Sequence, residues 1–126
     1  MKAKVHNLVG MIRDTRFAKP MVELWMANAG RGIVAALKDG EMTLEEAENQ
    51  IFNLDVYVAA RKRRLDRNLL EFLQWGMQLE DVAELAPERL ANDYRRMSKL
   101  LHRVLPRSPR TGRPARPGSA RVLARA

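Results

Sequence analysis

The sequence predicts an all-α protein, a compact single-domain bundle of five to seven helices with a disordered basic C-terminal tail. Three observations predict it. Apolar residues recur at helical spacing through to Leu105, no alternating β-branched run is longer than Val56-Tyr57-Val58, and Gly or Pro punctuates segments of helix length. A chain of 126 residues suits one domain.

Each element has its own warrant. Val5, Leu8, Val9 and Ile12 form one apolar stripe on a short first helix. Pro20 suits the first turn of the second, where a missing N–H costs nothing. Along that helix Val22, Met26, Ala29, Ile33 and Leu37 make a stripe, and Met21, Trp25 and Ala36 cover an adjacent face. Apolar residues wrap so much of its circumference that it is expected to be the central element, with Trp25 buried. Asp39-Gly40 ends it, with Gly40 as a left-handed cap. Thr43-Leu44-Glu45-Glu46 is a capping box opening a helix that carries Leu44, Ala47, Ile51 and Phe52. Asn53 and Asp55 suggest a break before a short apolar piece. Leu65, Leu69, Phe72 and Leu73 then follow a helical period that Gly76 is expected to close, with Phe72 in the core. Residues 79–85 add one or two turns. Pro87 starts a last helix with Leu90, Tyr94, Met97, Leu101 and Val104 at a/d spacing.

Residues 1–105 are read as the helical domain and 106–126 as an Arg/Pro-rich tail. The tail holds six of the 23 basic residues, Arg107, Arg110, Arg113, Arg116, Arg121 and Arg125, and no acid. The domain keeps 17 bases against 15 acids, a net of +2 within the +8 total. Four prolines and two glycines in the tail's 21 positions leave too little apolar surface to offset chain entropy.

Composition excludes several kinds of chemistry. With no cysteine there is no disulfide, thiolate nucleophile or cysteine-built zinc site. His6 and His102 lack metal-ligand spacing, so no metal and no cofactor is expected. Ser98 and His102 stand at i, i+4 without an orienting carboxylate or an oxyanion hole, and no enzymatic activity is expected. Gly30-Arg31-Gly32 sits within a helical pattern among Ala27, Ala29 and Ala36, where small residues admit a neighbouring helix. The most apolar stretch, residues 21–37, contains Glu23, Asn28 and Arg31 and is short of a membrane span. Without a signal-peptide core at the N-terminus, the expected location is the cytoplasm.

Charge is segregated along the chain. Glu41, Glu45, Glu46, Glu48 and Asp55 form one block without a base; Glu71, Glu80, Asp81, Glu84 and Glu88 form another. Such blocks are ordinarily solvated faces with acids favoured at helix N-termini. As a functional surface, Glu41, Glu45, Glu48, Glu80, Asp81 and Glu84 would dock a basic protein partner. Between the blocks stand Arg61, Lys62, Arg63, Arg64 and Arg67, expected to pair with the acids on either side. The last helix adds Arg89, Arg95, Arg96, Lys99 and Arg103 away from its apolar stripe. Gly76 to Ala83 echoes a helix-turn-helix, but Glu80, Asp81, Glu84 and Glu88 would repel DNA there.

The run from Gly32 to Ala47 (GIVAALKDGEMTLEEA), then Phe52, then Gly76-Met77-Gln78-Leu79-Glu80-Asp81-Val82 and Pro87-Glu88-Arg89-Leu90, resembles a small bacterial domain-of-unknown-function family of all-helical proteins. The resemblance covers roughly residues 30–105, leaves the basic tail outside, and implies a compact bacterial helical domain with no activity to carry across.

Two functions fit. The first is a small cytoplasmic protein that occludes a protein partner, such as an immunity-type inhibitor covering a basic toxin domain. The second is nucleic-acid binding, alone or within a nucleoprotein complex. It would use Arg61, Lys62, Arg63, Arg64 and Arg67, then Arg95, Arg96, Lys99 and Arg103, and Arg107, Arg110 and Arg113 of the tail.

Overall fold

Seven α-helices and one 3-10 turn make up the fold, a computed structural model that describes residues 2–105, with side chains from Leu8 onward. In order they are α1 (Lys2–Arg13), α2 (Lys19–Lys38), α3 (Leu44–Gln50), α4 (Leu54–Lys62), α5 (Arg67–Met77), α6 (Leu79–Leu85), the turn Pro87–Arg89 and α7 (Leu90–Val104). The described residues contain no strand. The tail and the side chain of Val5 lie outside the described residues.

Local chemistry sets most of the boundaries. Pro20 stands in the first turn of α2. Beyond the other end, Gly40 adopts φ +74° while the Glu41 N–H donates to Ala36 O and the Gly40 N–H to Leu37 O, a Schellman closure. Thr43 and Glu46 form the capping box reciprocally, at 3.1 and 2.9 Å. Asn53 caps α4 by accepting from Val56 N at 3.0 Å, and its amide donates to Glu48 O at 2.8 Å. The break between α3 and α4 is thus held from both sides. Helix α4 ends on a second Schellman closure, with Arg64 in the left-handed position at φ +59°. Pro87 opens the 3-10 turn that leads into α7, rather than α7 itself.

Helix α7 packs most extensively on α2 and on α5. Their shared core holds Val22, Met26, Leu69, Phe72, Leu73, Met97 and Leu101, all fully buried. Phe72 is edge-on to Phe52, with ring centroids 5.4 Å apart.

Helix α2 packs on α7, α3 and α5, but it is covered on fewer sides than expected. Its buried arc is Val22, Met26, Ala27, Gly30, Ile33 and Val34, while Met21, Trp25 and Ala29 face outward. The reason is Gly30. A β-carbon there would lie 2.8 Å from Phe72 Cζ and 3.0 Å from Leu101 Cδ1, so this side admits α5 and α7 and the opposite side is left to solvent. Gly32, by contrast, faces open space. Trp25 is 38% exposed and rests edge-on against Phe17, at 5.4 Å between centroids.

Gly76 also differs from expectation. It lies inside α5, which continues to Met77, and it is buried because the Phe52 ring fills the place of a side chain. The glycine permits contact; it does not end the helix.

Candidate functional site

The contact of Phe52 with Gly76 brings the end of α3 to the end of α5, and α6 starts two residues later at Gln78-Leu79. Leu79 anchors α6 in the core. Glu80 and Asp81 follow it in the first turn of α6, near Glu48 of α3. The Glu48 carboxyl is raised above its ordinary value, first by desolvation and then by the charge and hydrogen bonding of Glu80, with smaller pushes from Glu45 and Asp81. Three of the six acids singled out from the sequence therefore act on a fourth, Glu48, and two of the three reach it from another helix. Glu41, before α3, and Glu84, on α6, are exposed and do not contribute to that shift.

The basic cluster is divided. Arg63 is committed to the scaffold: its guanidinium donates to Ile12 O at 2.7 Å, Asp14 O at 3.2 Å and Phe17 O at 2.6 Å. It thereby satisfies carbonyls at the end of α1 and in the loop to α2. Arg61, Lys62, Arg64 and Arg67 are exposed. The expected pairing of this cluster with the acidic blocks is not made. Among the described residues the ion pairs are Arg16–Asp14 at 2.7 Å and Arg89–Asp93 at 3.9 Å. Helix packing directs the acids toward one another at the α3–α6 corner and Arg63 toward α1. On α7, Arg95 donates to Asn92, Arg96 lies over Trp75 at 5.0 Å, and Lys99 and Arg103 are exposed. Arg107, Arg110 and Arg113 lie outside the described residues.

The helix-turn-helix echo resolves into the α5–α6 junction. Helix α6 lasts seven residues and shows Glu80, Asp81 and Glu84 to solvent, the wrong sign for a phosphate backbone.

Among the concavities of the surface, two lie between helices distant in sequence. A groove of about 630 Å³ between α1 and α4 is lined by Val9, Gly10, Arg13, Leu54, Val58 and Lys62, with Leu54 66% exposed. A smaller one, of about 260 Å³, lies between α2 and α7 and is lined by Arg31, Val34, Ala35, Lys38, Ser98 and His102. Arg31 and Lys38 are two turns apart on one face of α2, a spacing visible in the sequence once that face is known to be exposed. Among the described residues, no three His, Cys, Asp or Glu side chains are grouped to hold a metal ion, and no helix is long and apolar enough to cross a membrane.

Fold and surface together define a small all-α domain with an acidic corner between α3 and α6. The chain belongs to the family described as "Protein of unknown function (DUF3969)", whose model matches residues 18–116. That match starts just before α2 and runs past α7 to Arg116, so it takes in part of the tail that the sequence resemblance leaves outside. None of the curated proteins and none of the solved structures matches this chain.

Proposed function

We propose that this protein is a cytoplasmic binding protein whose α3–α6 acidic face docks a basic protein partner and acts by occlusion, in the manner of an immunity-type inhibitor covering a toxin's cleft. One observation carries the reading. Glu48 is held beside Glu80, Glu45 and Asp81 with its carboxyl raised, and the groups acting on it are desolvation and other acids. Like charges kept together and partly desolvated are a standing cost to the free protein. A basic surface laid over them relieves that cost, speeds encounter and rejects acidic competitors.

The test uses the full chain as bait in extract of its own cell, with the recovered partner then purified. A Glu48→Lys/Glu80→Lys/Asp81→Lys variant should lose a basic partner, chiefly through a slower association whose rate is salt-dependent. Retention of the same partner at unchanged rate by that variant, with helical circular dichroism intact, would remove the acidic face from the binding surface.

A further inference from the structure

We propose that the groove between α2 and α7 binds the phosphodiester backbone of a nucleic acid, independently of the acidic face. Helix α7 approaches α2 closely at Gly30, where a β-carbon would lie 3.0 Å from Leu101 Cδ1. Val34 and the short side chain of Ala35 form its floor, Arg31 and Lys38 one wall, and Ser98 and His102 the other. The last four are exposed, and among the described residues none is in an ion pair or in a side-chain hydrogen bond.

The chemistry of the lining selects the ligand. Guanidinium, ammonium, hydroxyl and imidazole groups are donors to phosphate oxygens, and no carboxylate lines the groove. Among its lining residues His102 is the one ring, and no Phe, Tyr, Trp or amide side chain is present. Arg31 and Lys38 are separated by about 10 Å along α2, room for more than one phosphate. A shallower concavity lined by Ser98, Lys99, His102 and Arg103 carries the donors over the crest of α7. A row of cations without counter-charge suits a polyanion, and a repeating diester supplies one at regular spacing.

The test measures fluorescence anisotropy of labelled oligonucleotides, single-stranded and duplex, with the full 126-residue chain across a salt series. Arg31→Ala/Lys38→Ala removes two exposed side chains and should leave the melting temperature unchanged. Arg61→Ala/Lys62→Ala is the control, with equal charge loss on α4. The α2 variant should bind at least tenfold more weakly than the control. Its log–log salt slope should flatten by about 1.4 on single strands and about 1.8 on duplex, two phosphates' worth. Equal weakening by both variants, or none by either, would place binding in net charge or in the tail and overturn the proposal. So would displacement by polyglutamate as effective as by unlabelled oligonucleotide, or by a mononucleotide at equal phosphate concentration.

Discussion

The ring of Phe52 occupies the space that a β-carbon on Gly76 would need. That contact seats the end of α3 on α5, and the acidic α3–α6 corner is built around it. Alanine at Gly76 would gain about 1 kcal/mol of helix propensity. It would force apart a packed ring that also touches Phe72, and overpacking of that kind costs about 1–3 kcal/mol or more. Gly76→Ala should therefore be destabilised by up to about 2 kcal/mol in denaturant titration, while Gly32→Ala, facing open space, should be stabilised by about 0.5–1 kcal/mol. A Gly76→Ala protein as stable as the parent would show that Phe52 turns away freely.

Arg63 holds three carbonyls that belong to the end of α1 and the loop after it. Arg63→Ala should cost about 2 kcal/mol, in the range for hydrogen bonds to a charged group. Arg63→Lys should recover little, because an ammonium lacks the planar fork that spans separate acceptors. Hydrogen exchange should locate the loss at the C-terminal turn of α1. Uniform acceleration across all helices would contradict this assignment.

Arg64 is a non-glycine residue in the left-handed region, where an L side chain costs about 1–2 kcal/mol. Its backbone completes the closure of α4, with the Leu65 N–H donating to Ala60 O at 3.1 Å. Arg64→Gly should raise the melting temperature, since the relief of strain exceeds the added freedom of the unfolded chain. A fall would mean that the exposed arginine contributes a contact of its own.

Phe72 and Trp25 should respond very differently to truncation. Phe72 is fully buried among α2, α5 and α7, and Phe72→Ala should cost about 3–5 kcal/mol. Trp25 keeps 38% of its surface exposed and contacts Phe17, so Trp25→Ala should cost about 1–2 kcal/mol. Matched losses in urea titration would place Trp25 in the core after all.

The pH profile contains two opposing carboxyls. Glu48 is raised from an ordinary 4.5, so the folded state binds its proton more tightly than the unfolded chain does. That contribution is fully present below 4.5 and is lost as pH rises through the raised value. Asp14 is lowered to about 2, first by the side-chain hydrogen bonds of Arg16, so its contribution is present above 3.8 and is lost as pH falls toward about 2. Glu48→Gln should raise stability at pH 7 by a few tenths of a kcal/mol (roughly the scale of exposed charge pairs) and leave it unchanged near about pH 3.5. Glu80→Gln should bring the NMR titration of Glu48 only part of the way down, because desolvation, its first cause, persists.

What the sequence determined by itself is everything set by neighbours a few residues apart. The Thr43–Glu46 box, the Gly40 closure, Pro20 in the first turn of α2 and the apolar period of α5 and α7 all depend on contacts within about one or two helical turns. Tertiary structure decided where those helices meet, and with it the surface. Arg63 reads as one of five bases until it is seen reaching backbone 46 to 51 residues away. Gly76 reads as a stop until Phe52 lies on it, and Trp25 reads as core until Gly30 draws α5 and α7 to the other side of α2. Glu48 comes beside Glu80, and Arg31 comes to share a groove with His102, only through packing. Periodicity tells which face of a helix is apolar; it carries no term for which other helix covers that face.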